Sequence, residues 1–493
     1  MNQLTILLIE LFKSIFIAKV KDREKNYTYM YIFKRAITLA NYLNMASRKP
    51  IRIALIANNS INWIIVFLAV IFSKHQLVLF SRNNTITKIK KIISDSKSTF
   101  VITDITLYEI KNSCPFVRVI IEIEDIINID EDILTDSLDI EDFSQQSILT
   151  YTPNKLKEVE ITYDHIIELC SKLSKEKDLF DATNTFVLNQ ELCYNYVLCL
   201  LLPLLAGVDI IISETNIEGK GLFKTIDNIQ AHQPEIVILT GYQFEVIWRQ
   251  FIEPSDNKFI RLLIDFKWKK LRRWFLKKNL NFYFPNIKSL IILNSSISYE
   301  KEELLKSIKF PYTITYGTVE TCGIATYSNP KNFVINSCGE VINITNSLIE
   351  QNERLRIMNN GQIEELDDRG IIKQRTNNTL FFFNRTDETI ETEYGFIITR
   401  DIEKILKSLP LITDCVLFLI KDRELSLLVN LDVNLIDSQS LKIKEIQEIL
   451  KEMITEINKK VYSFQKIENV YIDFTKFQRD HYGRIKRDLY TIQ

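Results

Sequence analysis

Between Lys25 and Ser307, short apolar runs of strand character alternate with stretches of helical periodicity, and this rhythm constrains the fold more than any other feature. Residues 51–57 (IRIALIA) form a largely apolar run of the kind that a parallel sheet buries on both faces. Asn58, Asn59 and Ser60 then offer caps for a helix over 61–73. The spacing predicts further strands over 77–80, 99–102, 185–188, 208–213, 235–240 and 289–293. It predicts helices over 86–94, 162–173, 196–206, 217–231 and 299–307. Residues 25–43 read as a short strand containing YTYMYI (27–32), followed by an amphipathic helix. The fold class is therefore α/β, with a mainly parallel sheet.

From about residue 385 the pattern changes. Helices over 399–408 and 443–460, with strands over 415–420, 424–431 and 470–474, predict a small α+β unit. We place the large N-terminal domain at 1–383 and the small C-terminal domain at 384–493, within the range expected for 493 residues.

Composition narrows the function classes. Lys and Arg number 62 against 63 for Asp and Glu, so no global charge points to nucleic acid. Only 11 glycines occur, where average usage would give about 35, which limits the number of glycine-built loops. Seven cysteines, at 114, 170, 193, 199, 322, 338 and 415, form no CxxC pair and read as reduced, mostly buried thiols. Four histidines without ligand spacing argue against a zinc site.

The N-terminal MNQLTILLIELFKSIF lacks a basic leader and a cleavage site, and its apolar residues recur at helical spacing. The apolar run 61–72 is too short to span a bilayer. The run 197–212 is broken by Pro203, Gly207 and Asp209 and reads as a buried helix, a turn and a buried strand. No transmembrane segment is expected.

Two separated stretches carry the chemistry: Tyr316-Gly317-Thr318-Val319-Glu320, and NRTDETIETEYGFIITRDIE from Asn384 to Glu403. With the YTY-plus-helix start and the Asn-Asn-Ser after a strand, their order resembles the adenylate-forming superfamily of acyl-CoA synthetases, luciferases and nonribosomal adenylation domains. The resemblance spans nearly the whole chain. It implies a large acyl-adenylating α/β domain followed by a small mobile C-terminal lid. It also implies two half-reactions: a carboxylic acid becomes acyl-AMP with MgATP, and the acyl group then passes to a thiol of coenzyme A or a carrier protein.

The resemblance assigns roles residue by residue. Tyr316, Gly317 and Thr318 fall in the nucleotide-binding signature, with Tyr316 stacking on adenine and Glu320 holding Mg²⁺. Val319 replaces the threonine that contacts the α-phosphate, which loses a charge-assisted hydrogen bond of roughly 1.5–3 kcal/mol. Gln362 replaces the ribose-binding aspartate, with Asp367 and Asp368 as alternatives. Arg385 also contacts ribose, and Asp387 is the hinge. Arg484, in Tyr482-Gly483-Arg484-Ile485-Lys486-Arg487, occupies the place of the catalytic lysine and stays cationic.

The phosphate loop departs furthest. Where the family has a Ser/Thr/Gly-rich run, this chain reads Tyr151-Thr152-Pro153-Asn154-Lys155-Leu156-Lys157-Glu158, shorter and without glycine. Lys157 corresponds to the family's loop lysine and Lys155 adds a second cation. A backbone cradle for phosphate needs a tightly curled chain, and Pro153 offers no N–H.

Arg261–Phe284 (RLLIDFKWKKLRRWFLKKNLNFYF) is basic and aromatic, and a helix there suits either packing on the main domain or peripheral contact with an anionic membrane. Two functions follow as expectations. One is a divergent AMP-forming ligase for a fatty or other hydrophobic carboxylic acid, dependent on ATP and Mg. The other is a catalytically impaired relative that binds an acyl group, a carrier protein or a membrane. The expected location is the cytoplasm, with contact at the inner membrane surface as an open alternative.

Overall fold

In the computed structural model the described residues are 18–22, 24–105, 114, 117–128, 147–153, 156–177, 179–180, 185–213, 220–253, 269–294, 297–342, 348–351, 354–359, 362–365, 370–376, 379–385, 388–392, 395–407, 411–420, 424–433, 436–437, 443–459, 461, 465–479 and 485–490. Strands β1 (Lys19–Asp22) and β2 (Lys25–Thr28) form an antiparallel hairpin. Six strands follow: β3 (Arg52–Ile56), β4 (Gln76–Leu79), β5 (Phe100–Thr103), β6 (Val119–Glu122), β7 (Ser147–Tyr151) and β8 (Glu158–Thr162). They make one sheet in the order β6-β5-β3-β4-β7-β8, parallel throughout except for the β7–β8 pair.

A second sheet joins β9 (Thr185–Leu188), β10 (Asp209–Ile212), β11 (Ile236–Thr240), β12 (Ser289–Leu293) and β13 (Tyr312–Thr315) to the first hairpin, in the order β13-β12-β11-β9-β10-β1-β2. It is parallel from β13 to β1. The expected alternation thus yields two mainly parallel sheets. Their helices share one large apolar cluster that reaches from Ala18 to Ile342.

The helix Ile61–Phe72 shows why the sequence is so apolar there. All 12 of its residues are buried, and Ser60 caps it by accepting from Trp63 N at 3.1 Å. It packs against the helix Tyr29–Ala46, with Phe33 edge-on to Phe72 at 5.8 Å between ring centroids. Each large apolar side chain so buried stabilises the fold by about 1.5–3 kcal/mol. The run 197–212 is a π-helical turn (Val197–Leu201), a short helix (Leu202–Ala206), left-handed Gly207 at φ +70 and then β10, in line with the expected helix, turn and strand. Among the described residues, no helix is long and apolar enough to cross a membrane.

One expected strand is corrected. Residues 29–32 of YTYMYI are helical, because Thr28 caps the chain there by accepting from Tyr31 N at 3.2 Å. The aromatic and β-branched residues suggested a strand, and the cap overrides that preference.

The chain continues with β14 (Leu348–Gln351), β15 (Arg354–Asn359), β16 (Gln362–Glu365), β17 (Gly370–Thr376) and β18 (Thr379–Arg385) in an antiparallel sheet. A hairpin of β19 (Thr389–Thr392) and β20 (Gly395–Ile398) follows. Last come β21 (Ile412–Ile420), β22 (Glu424–Leu431) and β23 (Asn469–Asp473), which with the helices Thr399–Lys407 and Ile443–Asn458 enclose a separate apolar cluster. The strand and helix order of this α+β unit is the order expected from the sequence.

Ion pairs tie the C-terminal arm to that unit. Arg487 grips Glu403 with two bonds of 2.7 and 2.6 Å, and Arg479 pairs with Asp414, which also holds Lys407 Nζ at 2.6 Å. The unit meets the preceding fold where Arg249 Nη2 donates to the Lys407 carbonyl at 2.7 Å and Arg479 lies 4.2 Å over the Tyr242 ring. All seven cysteines are buried, and none is in a disulfide.

Candidate active site

The carboxyl ends of β9, β11, β12 and β13 line one edge of the second sheet, where parallel sheets place ligands. Tyr316 begins the turn that leaves β13 there. Its N–H donates to Thr326 Oγ1 at 2.8 Å, and its side chain is buried. The next N–H, of Gly317, donates to Asn294 Oδ1 at 2.6 Å. Asn294 itself sits at the end of β12 in the left-handed region, φ +53. Thr318 N–H donates to Thr321 Oγ1 at 2.9 Å, and Thr321 N–H returns to the Thr318 carbonyl at 3.1 Å, which winds Val319–Thr321 into a 3-10 turn.

Only glycine fits at 317. A Cβ there would lie 2.2 Å from the Gly323 carbonyl oxygen and 2.5 Å from Ile324 N. Gly323 in turn has φ +84, and a Cβ on it would meet the Tyr194 carbonyl oxygen at 2.5 Å. The signature turn therefore closes on itself and on the helix Leu192–Tyr196. Glu320, at the turn's crest, is 8% exposed. Val319, 4% exposed, packs within the main apolar cluster. Cys322 follows the turn, and burial pushes its thiol up to about 12, so it is not a nucleophile at neutral pH.

Three residues beyond the signature complete this edge. Asn189, at the end of β9, is 2% exposed and keeps both amide atoms without a hydrogen-bond partner, and Asn294 Nδ2 and Asn195 Oδ1 are likewise buried and unpartnered. Buried amides of this kind call for a polar group to satisfy them. Sequence reasoning missed all three. The available signal was a polar residue placed directly after an apolar parallel strand, as in SLIIL-Asn294 and TFVL-Asn189.

The segment corresponding to the phosphate loop is a closed hairpin. Tyr151 pairs with Glu158 across β7 and β8, and the Tyr151 hydroxyl donates to Glu158 Oε2 at 2.8 Å. Inside it Thr152 N donates to the Lys157 carbonyl at 2.9 Å, Leu156 N to the Thr152 carbonyl at 3.1 Å, and Lys157 N to Thr152 Oγ1 at 3.0 Å. Leu156 turns the chain at φ +54, a conformation glycine would adopt at lower cost. Lys157 is exposed, and Lys88 Nζ donates to the Pro153 carbonyl at 3.3 Å. Strand β8 then runs against the turn Val319–Thr321, so the hairpin and the signature are neighbours. Lys155 lies outside the described residues.

Gln362 and Arg385 share the third sheet. Gln362 opens β16 opposite Asn359, and Arg385 ends β18 opposite Gly370. That sheet is tied to the signature by one relay. Thr326 Oγ1, which receives Tyr316 N–H, donates to the Cys338 carbonyl, and Cys338 N donates to the Leu380 carbonyl of β18 at 2.8 Å. Asp387 and Arg484 lie outside the described residues.

The site accommodates nucleotide and metal unevenly. The adenylyl side fits: a buried tyrosine, a pinned turn and the Glu320 carboxylate stand at the ligand edge of the sheet. Among the described residues, no cluster of three or more His, Cys, Asp or Glu groups could hold a metal, so magnesium would rest on Glu320 with the nucleotide's own oxygens and water. The phosphate side does not fit: among the described residues, the N–H groups of Thr152, Leu156 and Lys157 are spent inside the hairpin.

This architecture and turn define the class of acyl-adenylating α/β ligase folds. The chain belongs to the AMP-binding enzyme family, whose model matches residues 13–366. No curated protein matches it by sequence. Among solved structures it is similar to an anthranilate CoA ligase in complex with anthranoyl-AMP, with TM-score 0.76 and 10% identity over 98% of this chain and 96% of that one. It is similar to the O-succinylbenzoate coenzyme A synthetase of Bacillus subtilis in complex with ATP and magnesium ion, with TM-score 0.72 and 13% identity over 98% of each chain. A structure of the fatty acyl-adenylate ligases from E. coli and L. pneumophila gives TM-score 0.74 and 14% identity over 98% of this chain and 97% of that one.

Proposed function

We propose that the chain is a divergent AMP-forming acyl ligase that activates a fatty or other hydrophobic carboxylic acid as acyl-AMP for transfer to a thiol of coenzyme A or a carrier protein. The observation that carries this reading is the Tyr316–Glu320 turn, held by Asn294 and Thr326 beside the unpartnered amides of Asn189 and Asn294. In this reading Tyr316, Gly317 and Thr318 hold the adenylyl group and Glu320 holds Mg. Gln362 and Arg385 serve the ribose, Lys157 and Arg484 supply phosphate charge, and Asp387 is the hinge between 1–383 and 384–493. The two cations would act as point charges where the family uses a backbone nest.

A second reading is favoured by a specific observation. The N–H groups of Thr152, Leu156 and Lys157 bond within the hairpin, and Val319 is packed in the apolar core. Electrostatic stabilisation of the phosphates supplies much of the rate in such chemistry, so these losses favour a relative that binds adenylate or acyl groups without forming them.

Calorimetry with MgATP and with a non-hydrolysable acyl-adenylate mimic separates the two. Binding of both, followed by pyrophosphate release with an added carboxylic acid, supports the ligase. Binding of the mimic without MgATP supports the impaired relative. No heat with either ligand, from protein shown to be folded, sinks the ligase reading and leaves a relative that binds an acyl group, a carrier protein or a membrane.

A further inference from the structure

The segment Arg261–Phe284 enters the described residues as the helix Lys269–Tyr283, which carries six basic residues and no acidic one. At 3.6 residues per turn its buried stripe is narrow: Leu276 and Leu280 are 0% and 1% exposed. Arg272 is neutralised on that flank by Glu253 and Glu300 at 2.6 Å each. The opposite face centres on Trp274, 58% exposed, and around it stand Lys270, Leu271, Lys277, Lys278 and Phe282, all exposed. Lys278 Nζ lies 5.6 Å over the Trp274 ring.

The apolar surface continues past the helix. Phe282 (66% exposed) meets Tyr283 at 5.0 Å, Tyr283 meets Phe251 at 5.2 Å, and Phe251 meets Phe223 at 5.6 Å, with Phe223 exposed in its turn. A helix held only for core packing would turn Trp274 and Phe282 inward and leave charges alone outside. Large exposed aromatics interleaved with cations that have no ion-pair partner among the described residues match a lipid interface, where rings enter the headgroup layer and lysines meet anionic phosphates.

We infer that the outer face of the helix Lys269–Tyr283, extended by Phe223, docks the protein on an anionic phospholipid surface. The occupant is a lipid layer because the exposed cations surround apolar rings. An acidic protein would be recognised by the charges and leave the rings in water. The docking does not depend on whether the nucleotide site is active, and it would bring the protein to the layer where fatty acids partition.

The test is co-sedimentation of the full chain with vesicles of phosphatidylcholine alone and of phosphatidylcholine mixed with phosphatidylglycerol. Binding is expected to the mixed vesicles only and to weaken with salt. The pair Lys270→Ala and Lys277→Ala should lower partitioning about thirtyfold, at roughly one surface cation's contribution each. The pair Trp274→Ser and Phe282→Ser should lower it about tenfold while leaving the salt dependence intact. These side chains are exposed, and unchanged thermal unfolding confirms the fold of each variant. No binding to anionic vesicles overturns the inference. So does binding that ignores the aromatic pair, and so does capture by polyglutamate in preference to vesicles.

Discussion

Lys157 donates its backbone N–H to the Thr152 hydroxyl at 3.0 Å, closing from within the segment that corresponds to the family's phosphate loop. The Lys157 side chain is exposed while its own N–H is engaged within the hairpin. Under the proposed function, substitutions on the adenylyl side and on the phosphate side are expected to act differently.

Tyr316→Ala should weaken an acyl-adenylate mimic about tenfold, the contribution of roughly one stacked aromatic. Lys157→Ala should leave the mimic unchanged and weaken MgATP severalfold, since its charge would serve only the outer phosphates. Titration calorimetry of both variants with both ligands checks the split. Equal losses for the two ligands in Lys157→Ala would contradict it.

Gly317→Ala should be severely destabilising. The added methyl would lie 2.2 Å from a backbone oxygen, and its three nearest neighbours are all backbone atoms, with no flexible side chain among them to yield. An overpacking cost of about 3 kcal/mol or more is expected, read as a lowered urea midpoint or as loss of soluble protein.

Val319→Thr restores the residue type that the family uses beside the phosphate, yet it should not restore nucleotide chemistry. The side chain faces the apolar cluster, so the new hydroxyl would be buried without a partner. A loss of about 1–3 kcal/mol in urea unfolding is expected, with MgATP affinity unchanged. A gain in MgATP affinity would show that the turn can reverse its facing.

Arg487→Met leaves Glu403 buried without its bidentate partner and should cost about 3–5 kcal/mol near neutral pH. Burial raises the Glu403 carboxyl, and the Arg487 guanidinium beside it outweighs that and holds it below its ordinary 4.5. A carboxyl depressed in the folded state contributes stability above its unfolded pKa and loses it as pH falls through the folded value. Without the guanidinium the carboxyl rises. The deficit against the parent protein should therefore shrink as pH falls from the variant's raised value towards the parent's, which lies below 4.5. Urea midpoints measured across that range check the sign.

The parallel frame was legible because strands such as β3 and β12 are continuous apolar runs between capped helices, and burial on both faces leaves little else for such runs to do. The C-terminal unit was legible for the same reason, through the strong stripe of Ile446, Leu450, Ile454 and Ile457. The antiparallel sheet β14–β18 gave no comparable signal, since its strands (LIEQ, RLRIMN, QIEE) mix charge with apolar residues. The start of the helix Tyr29–Ala46 was misread because one threonine cap outweighed four residues of strand-like composition. At the site, the signature turn was visible as letters. Its support from Asn294 and Thr326 was not, because those contacts cross from other elements and from beyond the turn.

The hairpin sets a genetic limit. Tyr151 is paired to Glu158, so the chain must return to the sheet within the six positions 152–157. Exchanging those residues one by one keeps that length. Only an in-frame insertion between the two strands would lengthen the connection.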